Sequence, residues 1–313
     1  MKRKAILAIV FFLLFFMFSF PKITLEAARE GLLLWFRTLL PSLLPFMILS
    51  NFLISFNCVG KILNPFRKIW SALFGLTPYG AYVLLLGTLC GYPMGAKLTG
   101  DLLLQGQISR QEGKYLLTFT SNASPMFICT YLVLECIGDE RQMLPVFFIL
   151  YLSSYLSSIC FRIYYGIGLP QGKLHKKTET SSSYPTGTLI DVSIMNGFET
   201  ITKLCGYILL FSIAAKAASQ LLCWMPRGKY LLLGTLEIST GLFQIARSAL
   251  GFPWKFSLLV SFTAFGGFCV LFQSKGVLAK SGLSILPYLA GKVLAALFAF
   301  LLSWIYLSLI QVV

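Results

Sequence analysis

Two interrupted apolar stretches, at residues 79–105 and 230–250, constrain this chain more than any other feature. Each consists of two apolar halves of roughly 12 residues or fewer around a polar or glycine-rich centre. Neither half reaches the length of about 20 residues that a helix needs to cross a bilayer. The first centre reads GYPMGAKLTGD (91–101), and the second holds Glu237 within LLLGTLEIST. Backbone N–H and C=O groups in hydrocarbon have no water to bond to. Irregular chain at that depth therefore survives only when buried in protein or facing a water-filled cavity.

The surroundings are those of a membrane protein. The 313 residues are 57% hydrophobic and 12% charged, against about a quarter charged in soluble domains. The apolar runs are continuous and do not alternate, which excludes a β-barrel and predicts an all-α polytopic membrane protein. The net charge of +15 comes from short basic clusters between apolar runs, as in the positive-inside bias, and not from a nucleic-acid-binding surface. The eight cysteines are scattered, nearly all within apolar runs, with no CxxC pair, and the one histidine is His175. Cysteine here reads as a small apolar residue, with no metal site and no cofactor.

The spans follow in order. MKRKAILAIVFFLLFFMFSF resembles a signal peptide without a small-x-small cleavage site and reads as a retained helix, residues 1–20. An amphipathic segment at 21–38 lies at the interface, and a span follows at about 39–56. After the first interrupted stretch come a span at 115–136 broken by SNASP, a GDER loop and a full span at 143–166. A polar loop, 167–190, divides the chain. The second half repeats the order. An amphipathic piece (DVSIMNGFETITK) precedes a span at about 204–223, the second interrupted stretch, a span at 256–273 holding Gly266-Gly267, and a last span at 284–310. Thus 21–166 and 191–313 are expected to be two repeats. GTLCGYPMGAKLTGDLL aligns without gaps to GTLEISTGLFQIARSAL, and LLTFTSNASP to LVSFTAFGGF through Phe119-Thr120 and Phe262-Thr263. With the N-terminal Lys2, Arg3 and Lys4 in the cytoplasm, the two stretches become re-entrant hairpins entering from opposite faces. Inverted repeats of this kind are an arrangement common among secondary transporters.

Candidate site residues sit at the breaks. Lys97 and Asp101 are spaced i, i+4 on the second half of the first hairpin, so they can pair. Glu237 and Arg247 occupy comparable places in the second hairpin, and Ser239, Thr240 and Gln244 beside Glu237 offer hydrogen bonds. Asn122 and Ser124 precede Pro125, which removes an N–H and frees carbonyls near residue 121. Asn51 and Asn196 are weaker candidates. A charge near the bilayer centre costs about 2.5 kcal/mol or more and points to function. The competing explanations are an edge salt bridge, helix–helix bonding through Ser and Thr, and a plain proline kink. Lys97, Arg247 and the half-helix N-termini suit an anionic solute, and Glu237 and Asp101 suit a proton or coupling cation.

The segment GYPMGAKLTGDLLLQGQISRQEGKYLLTFTSNASPMFI, specifically Gly91–Phe127, resembles the YlbJ-type sporulation integral membrane proteins of spore-forming Firmicutes. The second half, through NGFETITKLCGYILLFSIAAK and GTLEISTGLFQIA, is similar in organisation to the nucleoside-recognition gate domains. The resemblance implies a fold similar to one concentrative nucleoside transporter protomer, with inverted repeats, re-entrant hairpins and broken helices. It implies a sporulation role in which a small solute, dipicolinic acid in that family, crosses a forespore membrane, the outer one by expectation. The gate resemblance alone implies a nucleoside.

Three functions compete: a permease for a small polar metabolite, a non-transporting scaffold for spore assembly, and an intramembrane enzyme. The enzyme is disfavoured because HExxH, GxSxG, a phosphate-binding loop and paired intramembrane aspartates are all missing from the sequence. The expected partners are a small-molecule substrate and the bilayer, not nucleic acid. The layout leaves room for a coupling cation or proton and for self-association. Convergence of Lys97, Asn122, Glu237 and Arg247 on one cavity is what a permease predicts.

Overall fold

The computed structural model describes residues 2–56, 58–168, 186–221 and 226–310, and every element among them is helical. The polar loop and His175 lie outside the described residues, apart from the few residues at the loop's two ends. Helix α1 (Lys2–Ser19) opens on three basic residues and is apolar in sequence from Ala5 to Phe18. It meets α2 (Pro21–Leu34) at a 110° bend, where Pro21 opens α2 without needing an N–H partner. A π-wound stretch, Trp35–Leu39, carries α2 into α3 (Leu40–Ser55). Pro41 and Pro45 remove donors from the ladder there, and the wider winding accommodates them. Two short helices follow, α4 (Cys58–Leu63) and the basic α5 (Arg67–Phe74), at 93° to α3.

The first interrupted stretch is α6 (Pro78–Cys90) and α7 (Met94–Leu104), separated by Gly91-Tyr92-Pro93. A Cβ on Gly87 would lie 3.0 Å from the Gly95 Cα, so the chain folds back at the tip. Next comes α8 (Arg110–Leu117). The chain unwinds over Thr118–Ser124 and resumes as a π-wound helix, Phe127–Ile137. Helix α9 (Met143–Tyr164) completes the first half.

The second half begins with α10 (Thr186–Leu221), one helix of 36 residues. This corrects the expectation of a separate amphipathic piece and span. No proline interrupts 186–221 and its glycines are isolated, so nothing stops the helix between its polar and apolar portions. Helices α11 (Pro226–Leu236) and α12 (Ile238–Ala246) form the second hairpin with only Glu237 between them. A Cβ on Gly241 would stand 2.4 Å from the Gly234 Cα, so this pair also folds back tightly. Helices α13 (Phe252–Phe265) and α14 (Gly267–Leu278) meet at Gly266, whose φ of 84° requires glycine. Helix α15 (Leu286–Leu309) ends the described chain.

Helices α13 and α15 run antiparallel, with Trp254 against Trp304 at 5.1 Å and the Ser261 hydroxyl donating to the Ala296 carbonyl at 2.9 Å. The Arg110 guanidinium donates to the Gly282 carbonyl at 2.7 Å, placing the loop after α7 at the N-terminal end of α15. The loop after α12 leads into α13 at the other end. The two hairpins therefore open toward opposite ends of the bundle. Helices α2 and α3 lie along α10, with the Trp35 indole donating to the Ile201 carbonyl at 2.9 Å and Gly197 against Ile48. Among the described residues, four helices are long and apolar enough to cross a membrane: Glu140–Tyr164, Gly187–Leu221, Phe252–Ser281 and Leu286–Leu309. There are six crossings if each bent pair is one span.

Candidate functional site

The unwound segment of the first half is gripped from three sides. A Cβ on Gly87 or Gly95 would stand 2.2 or 2.6 Å from the Thr120 carbonyl oxygen, and one on Gly291 of α15 only 2.0 Å from the Thr118 oxygen. At the hairpin tip, a Cβ on Gly91 would meet the Ser124 nitrogen at 2.8 Å. Glycine is what lets backbone approach backbone this closely. Asn122 is held within the break: its amide nitrogen donates to the Phe119 carbonyl at 2.9 Å. Its oxygen accepts from the Ser154 hydroxyl and from the Lys292 ammonium, each at 3.2 Å.

Lys292 lies two turns into α15, is 2% exposed, and sits 5.0 Å from the centre of the Tyr92 ring. Among the described residues no carboxylate pairs with it. A small cavity of about 10 Å³ lies beside it, walled by Tyr92, Asn122, Tyr151, Ser154 and Thr263, the room taken by roughly one water.

The second half carries the opposite charge. Glu237 is 4% exposed and caps α12 with both oxygens, accepting from the Ser239 N–H at 3.0 Å and the Thr240 N–H at 2.7 Å. The free N–H groups and the positive end of the helix dipole hold its charge. Gly267, beyond the second break, passes this tip with room for a Cβ 3.4 Å from the Ile238 nitrogen. The two halves also bond across. The Tyr92 phenol, at the first tip, donates to the Thr263 carbonyl just before the second break. The Tyr131 phenol, beyond the first break, donates to the Ser239 carbonyl at the second tip, at 2.6 Å. Between both tips and both breaks lies a cavity of about 80 Å³, whose polar wall is Ser124, Glu237, Ser239 and Gln273.

The sporulation integral membrane protein YlbJ of Bacillus subtilis (strain 168) is 28% identical to this chain over 318 aligned positions, covering 90% of this chain and 77% of the relative. This similarity supports a YlbJ-type assignment. No family model matches it, and no solved structure does either. With its long apolar helices, the chain is an integral membrane protein, similar to one of sporulation. The segment Gly91–Phe127 builds the first tip, the first break and the hairpin helix between them.

In the structure the candidates divide among three places. Asn122 lies beside Lys292. Ser124, Glu237 and Ser239 line the central cavity, with the Thr240 N–H bound to Glu237. Lys97 and Asp101 pair at 2.8 Å and line a separate polar cavity of about 270 Å³, which also takes in Asn51 and Asn196. Gln244 is half-buried and lines none of these cavities. Arg247 is exposed, its guanidinium 3.9 Å over the Phe243 ring. The expected convergence of Lys97, Asn122, Glu237 and Arg247 on one cavity is thus corrected. Arg247 lies ten residues beyond the tip residue Glu237, roughly 15 Å along a helix, and so falls at the hairpin's open end. Sequence reasoning missed Lys292. Its signal was present, a lone lysine inside LPYLAGKVLAALFAF, but attention to the interrupted stretches passed over an ionisable residue in an unbroken span. Glu112 was missed too. It accepts from the Thr77 N–H at 2.9 Å and the Thr77 hydroxyl at 2.8 Å, pinning the start of α6 at the bundle end. Burial raises its pKa, and the Thr77 bonds oppose the rise.

Proposed function

We propose that this chain is a membrane permease for a small polar anion, and that Lys292 is the group that meets the solute's negative charge. One observation carries the reading: a fully buried lysine amine whose neighbours are a neutral amide and an aromatic face, set where a hairpin tip crosses an unwound helix. An uncompensated charge in such surroundings is costly, and a carboxylate supplies both the counter-charge and strong hydrogen bonds. The cavities of about 10 and 80 Å³ are those of a closed state that must open to admit solute. Glu237, buried without a cationic partner among the described residues, is the group in this proposal that takes up a proton or coupling cation.

The family resemblance suggests dipicolinic acid, an aromatic dicarboxylate, carried across a forespore membrane during sporulation, in a fold like a concentrative nucleoside transporter protomer with inverted repeats. The basic N-terminus, together with Arg110, Lys114, Arg162 and Lys280 at the end of the bundle where α15 begins, favours a cytoplasmic N-terminus. The exposed position of Arg247 favours a second reading, a non-transporting scaffold. Uptake of dipicolinate and of uridine into proteoliposomes separates these. Dipicolinate uptake is expected in the parent protein, falling by about tenfold or more in Lys292→Met, the change expected when a charge-assisted contact is lost. Uridine uptake alone would favour the nucleoside reading, and uptake of neither would favour the scaffold.

A further inference from the structure

The two larger cavities share their walls. The central cavity is lined by Leu43 of α3, Tyr92 before α7, Leu204 and Ile208 of α10, and Gln273 of α14. The outer cavity, about 270 Å³ and open to solvent at the end where α15 begins, is lined by Asn51, Lys97, Asn196 and Val277 of the same four helices. Along α10 the ladder 196, 200, 204, 208 runs from one cavity into the other at four-residue spacing, and along α14 residues 273 and 277 do the same. On α3 and α7 one residue stands in the gap. Met47 falls between Leu43 and Asn51, and Met94 between Tyr92 and Lys97. Both methionines are 0% exposed and belong to one buried cluster.

We propose that the outer cavity is a first solute site and that Met47 and Met94 form the movable layer between it and the central cavity. This rests on the permease reading. The outer cavity is polar where the layer is apolar. Lys97 pairs with Asp101 and Lys203 with Glu199, leaving Lys280 as the surplus cation, so a solute with one negative charge is favoured there. The Asn51 amide nitrogen is buried and has no hydrogen-bond partner among the described residues, a donor available to such a solute. Methionine suits the layer because its unbranched thioether adopts several shapes at little cost.

The test needs no solute, because Cys90 and Cys269 already line the central cavity. The other six of the eight cysteines are replaced by serine or alanine, and the full chain is reconstituted in vesicles. A membrane-impermeant methanethiosulfonate carrying a trimethylammonium group is added from each side. The Met47→Ala/Met94→Ala double variant is expected to speed modification of Cys90 and Cys269 by on the order of tenfold, from the side of the outer cavity only. Leu307→Ala, which opens a similar void on α15 in a separate buried cluster that lines neither cavity, is expected to leave the rate unchanged. An unchanged rate in the double variant, acceleration from the opposite side, or equal acceleration by Leu307→Ala overturns the proposal. Should the double variant not accumulate, Met94→Ala with Val277→Cys replaces it. A bulky impermeant maleimide on that cysteine is expected to block later modification of Cys269, and continued modification overturns the proposal. Because uptake is not the readout, a chain that transports nothing can still pass or fail this test.

Discussion

The two helix breaks solve one problem in different ways. In the first half the unwound chain runs from Thr118 to Ser124 and is enclosed by Gly87, Gly91, Gly95 and Gly291, with Asn122 and Lys292 inside. In the second half the break is Gly266 alone. Its N–H returns to the Phe262 carbonyl at 2.9 Å, and the charge sits on the opposing hairpin tip as Glu237. Both arrangements give freed backbone groups partners at a depth where water does not. The first presses other elements' backbone closer than any Cβ would allow, where the second leaves 3.4 Å, and among the described residues only the first leaves a cation without a counter-ion. In the permease proposed above, the first break is the place where a solute's charge is met, and the second tip carries a carboxylate bonded to the N–H groups of its own helix.

That contrast can be attacked by substitution. The largest effect is expected at Gly291, where a Cβ would stand 2.0 Å from the Thr118 carbonyl oxygen. Gly291→Ala should destabilise the protein by about 3 kcal/mol or more, read as loss of folded material in detergent size-exclusion. At the second break, Gly267→Ala has 3.4 Å of clearance but a φ of 79°, so the cost is left-handed strain of about 1–2 kcal/mol, seen as a lower Tm with folded protein retained. Equal losses at the two sites would dissolve the comparison.

The charges should respond with opposite sign. Glu237→Ala removes the acceptor for two helix N–H groups and is expected to lower stability by about 1–2 kcal/mol. Lys292→Met removes a buried ionisable group and is expected to leave the Tm unchanged or raised, while lowering anion uptake by about tenfold or more. A Tm that falls as far in Lys292→Met as in Glu237→Ala would mean that Lys292 is a structural partner and not a solute site. The smallest effect is expected at the exposed Arg247. Arg247→Gln should change stability by no more than about 0.5 kcal/mol and leave uptake near the parent level.

Much of this architecture was legible in the sequence because broken apolar runs are visible as composition. The alignment of the two halves pairs Gly87 with Gly234, and in the structure each is a glycine where its hairpin folds back. It also pairs Thr120 with Thr263, and each hydroxyl bonds a carbonyl four residues earlier, Leu116 and Leu259, at 2.8 Å. What was not legible depended on length and on neighbours. The continuity of α10 could not be read because a change from polar to apolar composition does not end a helix. The exposure of Arg247 follows from counting turns away from a tip whose position is set by a single residue, Glu237. Lys292 gains its meaning from Asn122, 170 residues earlier, a contact that no local pattern announces.

The central claim is that Lys292 holds the solute's negative charge. Equilibrium binding of radiolabelled dipicolinate to the purified protein tests it most directly, with Lys292→Met and Lys97→Met compared at equal folded concentration. The expected result is saturable binding by the parent, weakened by about tenfold or more in Lys292→Met and less in Lys97→Met, whose partner Asp101 already neutralises the lysine. Parent-like binding in Lys292→Met would contradict the account.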